Sequence, residues 1–361
     1  MKKYVSKLAT VSFILLAVSV LVYFLARTFI PVADFINGTV SVAVRYVLAF
    51  LTYVLPFSLF ETLIILSPLI IAFTVFIMVK GAKKRPNRIR ALVSLLGIVS
   101  LIFTSYIYTL GVGYHTTPLS YRIGIEDKRD VNEDELFDTL RTVVEELNSL
   151  AEKIESSDGV THMPFDFFDL SRELISAYDS MNEKYSLLVN YPSRAKPVYF
   201  STVMSDLGIT GIYSFFTGEA NVNVEYPDYS TVFTTAHELA HQRGICRENE
   251  ANFVAFLVCI SSENEYIRYS GYLNIYEYLS SVLYRADPER YMLVRDTLSE
   301  VAKGDIRASN EVYQKHKDSL LGKINDRLND AYLKANGTEG VVSYGYVVRL
   351  AVSYYQSEYS K

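Results

Sequence analysis

Five consecutive residues, His237-Glu238-Leu239-Ala240-His241, set two imidazoles four positions apart with a carboxylate beside the first. On a helix, positions four apart lie about 40° apart around the axis and one turn along it, so both rings can reach one ion. Glu238 is then placed to contact water at that ion without ligating it, the arrangement for metal-assisted hydrolysis with Glu238 as general base. Leu239 and Ala240 face the other side, where they suit packing. Gly244 follows closely and lets the helix stop, so that the chain can turn back towards the metal. A third ligand is therefore expected nearby, and Glu248-Asn249-Glu250-Ala251-Asn252 opens the next helical run.

This pair of segments resembles the gluzincin type of zinc peptidase, whose third ligand is a glutamate in a helix reading E-x-x-A-[DN]. The resemblance implies Glu248 as the third ligand. It also implies Asn252, in place of the commoner Asp, as the hydrogen-bond partner behind a ligand histidine. Glu250, two residues on and on a different face of the same helix, remains the rival ligand. Two histidines and a glutamate with an open fourth position form a catalytic zinc set, because structural sites close all four positions with Cys or His. Zn2+ held this way would polarise a scissile carbonyl and lower the pKa of its water towards 7. Glu238 would accept that proton and pass it to the leaving amine.

Other residues carry weaker signals. His115, His162 and His316 are isolated and read as surface or hydrogen-bonded histidines. Among the 29 tyrosines, Tyr344 and Tyr346 are candidates to stabilise an oxyanion, without a means of choosing. Arg243 and Arg247 flank the motif and read as solvent-facing charges, with binding of a carboxylate as the alternative. Cys246 and Cys259 make no disulfide framework and read as thiols in apolar surroundings.

The elements that must position the motif are mostly helical. Asn132 to Ile154 repeats apolar residues at helical spacing, with Asn132 and Glu135 as a capping pair. A second helix is expected over Phe167 to Leu188. Lys196 to Phe200 and Asn221 to Tyr226 look extended, the latter alternating Val222 and Val224 with asparagines. Lying just before the active helix, Asn221 to Tyr226 is a candidate sheet edge for holding a peptide substrate as an added strand; an ordinary core or edge strand is the competing reading. From Thr231 onward the pattern is helical, with breaks expected near Asp287 to Pro288, Gly304 and Gly337. The fold class expected for residues 115–361 is mainly α, an α+β zincin-like soluble domain with a small sheet.

Before Tyr114 the chain is different. Leu8 to Ala26 carries no charge and follows Lys2, Lys3 and Lys7, and the runs Thr62 to Val79 and Ala91 to Tyr114 are also uncharged and long enough to span a bilayer. Residues 1–114 are therefore expected to be an α-helical anchor with three transmembrane helices, at about 8–26, 60–79 and 91–113. Ser41 to Pro56 is apolar too, but Arg45 in its middle and its terminal proline suit an interfacial or packed helix. Lys80, Lys83, Lys84, Arg85, Arg88 and Arg90 should stay cytoplasmic with the N-terminus, which sends residues 115–361 to the extracytoplasmic side of the cell membrane. The polar surroundings of the motif argue against an intramembrane protease. A net charge of −5 with no basic stripe argues against nucleic acid.

Three N-terminal spans followed by Gly211-Ile-Tyr-Ser-Phe-Phe-Thr-Gly-Glu-Ala-Asn221, His237-Glu-Leu-Ala-His-Gln-Arg-Gly-Ile245 and Glu248-Asn-Glu-Ala-Asn-Phe253 are similar to a bacterial membrane family of unknown function with a zincin signature. The similarity covers almost the whole chain. It implies a fold and a metal site but no substrate. The leading expectation is a membrane-anchored zinc metallopeptidase acting on a peptide or protein at the bilayer, a cell-wall peptide among the candidates. The alternative is a zinc-binding sensor or assembly protein without turnover, in which Glu238 would have no task.

Overall fold

The computed structural model describes residues 6–80, 85–126, 130–336 and 344–359. Lys2, Lys3, Lys83, Lys84 and Gly337 lie outside the described residues, as do the side chains of Arg85, Arg88 and Tyr344. The chain divides into two compact units, residues 1–116 with 214–219, and residues 117–213 with 220–361.

The first unit contains α1 (Lys7–Thr28), α2 (Ile30–Gly38), α3 (Val40–Tyr53), α4 (Leu59–Lys80) and α5 (Arg85–Thr109). Its polarity is reversed relative to a water-soluble bundle. Small residues Ala9, Ser12, Ser19 and Ala26 of α1 are buried, while Leu8, Val11, Ile14 and Leu21 point outward. The small side chains let α5 approach closely, since a Cβ on Gly97 would stand 3.2 Å from the Ala9 Cα. Packing of this kind holds helices together in hydrocarbon, where apolar side chains gain nothing by turning inward. Four stretches, Lys7–Thr28, Ile30–Tyr53, Leu59–Phe76 and Ile89–His115, are long and apolar enough to cross a membrane. The second of these is broken at Thr39, between α2 and α3, and carries the buried Arg45. Arg45 donates to the Asn37 side chain and carbonyl at 2.9 Å and to the Tyr108 and Thr109 carbonyls at 3.4 Å. Its guanidinium thus satisfies backbone acceptors at the ends of α2 and α5, as a cation near a helix C-terminus should. In the same unit, the Glu219 carboxylate accepts from the Leu59 and Phe60 amides in the first turn of α4, at 3.0 and 2.8 Å.

The second unit is mainly helical: α6 (Leu119–Ile123), α7 (Glu133–Ala151), α8 (Phe167–Tyr185), α9 (Ser201–Asp206), α10 (Asp228–Gln242), α11 (Glu248–Ile260), α12 (Glu265–Ala286), α13 (Pro288–Thr297), α14 (Glu300–His316), α15 (Leu320–Ala335) and α16 (Tyr344–Tyr359). The strands are β1 (Ser156–Ser157), β2 (Val160–Thr161), β3 (Lys196–Pro197), β4 (Gly211–Tyr213) and β5 (Ala220–Val222). Asn132 caps α7, its side chain accepting from the Asp134 amide. Asp166 caps α8, which ends at Ser186 with φ 48°. One apolar core joins α7, α8, α10, α11, α12 and α16.

Two expectations fail here. Gly304 does not break a helix but lies inside α14, where the lack of a side chain admits the Gly159 carbonyl. The three-stranded sheet has the order β3-β5-β4, with β3 parallel and β4 antiparallel to β5. Asn221 to Tyr226 is therefore no sheet edge. Its strand stops at Val222, both sides of β5 are paired, and Val224 beyond it is exposed. The edge on the helix α10 side is β4.

Candidate metal centre

Helix α10 is buried almost all round and held from several sides. The Tyr178 hydroxyl donates to the Ala236 carbonyl at 2.7 Å, Tyr191 to the Gln242 carbonyl at 2.6 Å, and Ser270 to the Tyr229 carbonyl at 2.5 Å. Its C-terminus is a Schellman turn. Gly244, at φ 95°, donates to the His241 carbonyl, and Ile245 donates back to the Ala240 carbonyl. The turn sends the chain directly into α11, whose first residue is Glu248.

The three expected ligands come together. His237 Nε2 lies 3.2 Å and His241 Nε2 3.4 Å from the same oxygen of Glu248, and ligand atoms of all three lie within 4.8 Å of one another. Two ligands each about 2.0–2.1 Å from a tetrahedral ion are separated by roughly 3.3–3.4 Å, the edge of that tetrahedron. Both histidine-to-glutamate spacings match that edge, so the group could hold a cation of this size.

The tautomer of His241 fits as well. Its Nδ1 is 2.7 Å from the Ile245 carbonyl, which can only accept, so Nδ1 carries a proton and Nε2 is the nitrogen that the ring would offer to an ion once deprotonated. This carbonyl takes the place behind a ligand histidine that the gluzincin resemblance gave to Asn252. Among the described residues, His237 Nδ1 has no hydrogen-bond partner, so Asn252 does not fill that place either.

Burial works against a charged His241, yet the Glu248 carboxylate, by its charge and hydrogen bond, pushes the imidazole up to about 9. Burial likewise opposes ionisation of Glu248, but His241 and His237 hold it well below the usual carboxylate range. Glu238 is only 4% exposed, and burial pushes it up to about 6 against the pull of the two histidines. Its Oε2 has no partner among the described residues. The Glu238 side chain lies against β4, since a Cβ on Gly211 would stand 2.5 Å from Glu238 Oε1.

The rival Glu250 is engaged elsewhere. Its Oε1 accepts from the Leu119 amide at 3.0 Å and from Arg247 at 2.8 Å, and the side chain is buried on the far side of α11's first turn. Arg247 is accordingly paired. Arg243 reverses the expectation of a solvent-facing charge. It is 3% exposed, sits over the Tyr178 and Tyr191 rings at 4.5 and 5.1 Å, and donates to Asn190, Leu239, Gln242, Tyr191 and Ser193. Its task is to hold the end of α10. A cation beside a helix C-terminus was the available signal.

The remaining residues stand apart from this cluster in their contacts. His115 packs edge-on to Tyr23, His162 lies 3.8 Å from Asp228, and His316 is buried between Asp206 and Glu225 at 2.7 and 3.1 Å. Tyr346 carries Arg349 over its ring at 4.9 Å. Cys246 and Cys259 are buried free thiols.

Neither a curated protein nor a solved structure matches the chain. One family model does, over residues 37–352, spanning the apolar helices from α3 onward, the sheet and the whole His237, His241 and Glu248 cluster. The chain therefore belongs to the family described as "Protein of unknown function (DUF3810)".

Proposed function

We propose that this chain is a membrane-anchored, zinc-dependent metallopeptidase with a zincin-like site, in which His237, His241 and Glu248 hold the ion and Glu238 is the general base. The observation that carries the reading is the spacing of the ligand atoms, 3.2 and 3.4 Å, which matches the edge of a zinc tetrahedron. Bound there, Zn2+ supplies Lewis acidity towards a carbonyl and makes a water acidic near neutrality.

The chain's own groups do the rest. Glu238, a buried carboxylate pushed up to about 6, is poised to take a proton from the attacking water and return it to a leaving amine near neutral pH. The outer edge of β4, whose Tyr213 backbone meets Glu238, would offer its other main-chain groups to an extended peptide beside that carboxylate, so recognition need not depend on sequence. Among the described residues only these three side chains form such a ligand group, which leaves a fourth position for solvent or substrate.

The membrane arrangement we infer has three crossings, by α1, α4 and α5, with the broken pair α2–α3 packed beside them through Arg45. Residues 115–361 then lie outside the cytoplasm, and the basic residues Lys80 and Arg90 at the α4–α5 connection stay within it.

Elemental analysis of the purified full-length protein tests the metal and the base together. Wild type should carry about one zinc per chain, and His237→Ala should lose it. Glu238→Gln should keep the zinc while hydrolysis of a casein or peptide-library substrate falls by roughly 10²–10⁴. Loss of zinc in Glu238→Gln would put Glu238 among the ligands and end the proposed mechanism. Retained zinc with no hydrolysis even in wild type would favour a metal-binding sensor.

A further inference from the structure

We propose that the solvent-facing side of α15 is a docking surface for an anionic lipid bilayer. This helix presents its apolar residues the wrong way for a soluble domain. Leu320 is 72% and Leu328 65% exposed, with Leu321 and Ile324 also exposed between them. At 100° per residue these four fall within an arc of about 100°, a continuous apolar stripe along the helix.

The opposite side is already used. A Cβ on Gly322 would stand 3.2 Å from the Asp206 carbonyl, Asn325 donates to the Leu207 carbonyl at 3.0 Å, and Leu333 is buried. The stripe is thus not the packing face misread. The segment leading into α9, whose end packs on α15, exposes Tyr199, at 85%, and Phe200, which meet edge to face at 5.1 Å, and α9 exposes Val203. The amphipathic Tyr199 ring suits the headgroup level of a membrane.

Charge decides the partner. Lys323 and Arg327 fall within about 60° of the stripe's Leu320 border, and among the described residues neither forms an ion pair. Their stems can follow the apolar surface while their charges reach phosphate, the pattern of a helix lying in a bilayer interface. Asp326 and Asp330 lie further round, away from the stripe. A chain with four helices apolar enough to cross a membrane is also held where such a surface is available.

The chain contains no tryptophan, so a single one can report on this face. Leu328→Trp and, as a control on the exposed face of α7, Glu145→Trp would each be made in the full-length protein and reconstituted in phosphatidylcholine vesicles with about one-third phosphatidylglycerol. Acyl-chain-brominated lipid should quench the indole fluorescence of the Leu328→Trp protein about twofold or more and leave that of the Glu145→Trp protein unquenched. The quenching should weaken in pure phosphatidylcholine and in the Lys323→Glu/Arg327→Glu background. Emission from the Leu328→Trp protein as solvent-like as that from the control would overturn the proposal. So would a blue shift without bromine quenching, which would assign the stripe to a second copy of the chain, and so would equal quenching in neutral vesicles, which would remove the anionic preference.

Discussion

Two regions of the second unit bury a carboxylate, and they treat it in opposite ways. Around α14, Asp305 is fully buried and its oxygens are saturated. Oδ1 accepts from the Thr161 amide at 2.8 Å, and Oδ2 from the Thr161 hydroxyl at 2.8 Å and the Tyr269 hydroxyl at 2.7 Å. Around α10, Glu238 is equally hidden, yet one oxygen and the neighbouring His237 Nδ1 have no partner among the described residues. A buried polar group without a partner costs free energy, so proteins retain one where it has chemistry to do. The first region has closed upon itself and serves the fold. The second keeps two buried polar atoms unpaired among the described residues, beside the His237, His241 and Glu248 cluster.

The contrast breaks most sharply at Asp305. Asp305→Ala removes the acceptor for three buried donors and should destabilise the protein by about 3–4 kcal/mol, since each stranded group retains its desolvation penalty. In a domain of this size that is a fall of roughly 10 °C in Tm, measurable by thermal unfolding in detergent. Zinc content of the fraction that remains folded should be unchanged. Loss of zinc at temperatures where the variant is folded would mean that the two regions are not separable.

Glu277 on α12 supplies the next test, because its burial is not compensated as that of Asp305 is. Burial pushes it up to about 7 from 4.5, with a smaller opposing contribution from the Tyr229 hydroxyl. The folded state therefore holds this proton between about pH 4.5 and 7 after the unfolded chain has released it. Stability from this group is full below pH 4.5 and is lost as pH rises through 7, by about 3 kcal/mol. Glu277→Gln should flatten the decline in Tm between pH 5 and pH 8. A decline of undiminished slope in the variant would assign it to other groups.

How far the sequence reveals these regions follows from the range of the contacts involved. The histidine pair is a local pattern, one helical turn, and could be read directly. Glu248 needed the gluzincin resemblance, because the residues between His241 and Glu248 leave the turn geometry open; what the chain adds is a Schellman turn at Gly244 that aims α11 back at α10. Beyond its place at a helix C-terminus, what Arg243 meets was hidden, since its partners Tyr178, Asn190, Tyr191 and Ser193 lie about 50 to 65 residues earlier and no local periodicity links them. The edge strand was hidden for a different reason. At three residues, β4 is too short to show alternation, while the longer pattern at Asn221 to Tyr226 drew attention to a strand that is paired on both sides. Asp305 gave no signal at all, one acidic residue in a helix, whose partners Thr161 and Tyr269 lie 144 and 36 residues away.

Each region also holds a glycine against its carboxylate's neighbourhood, and the pair gives the finest test of the contrast. A Cβ on Gly211 would stand 2.5 Å from Glu238 Oε1 and 2.7 Å from Thr234 Cγ2, while Gly304 admits the Gly159 carbonyl next to Asp305. Both alanine variants overpack, at a cost of about 1–3 kcal/mol each. They should differ in what is lost. Gly304→Ala should lower Tm and leave hydrolysis per bound zinc unchanged. Gly211→Ala should keep its zinc yet lower hydrolysis about tenfold, because a displacement of Glu238 worth about 1.4 kcal/mol at the transition state is one decade in rate. If Gly211→Ala instead hydrolyses as well as wild type, β4 is not the strand that sets the base in place, and the open region owes its geometry to α10 alone.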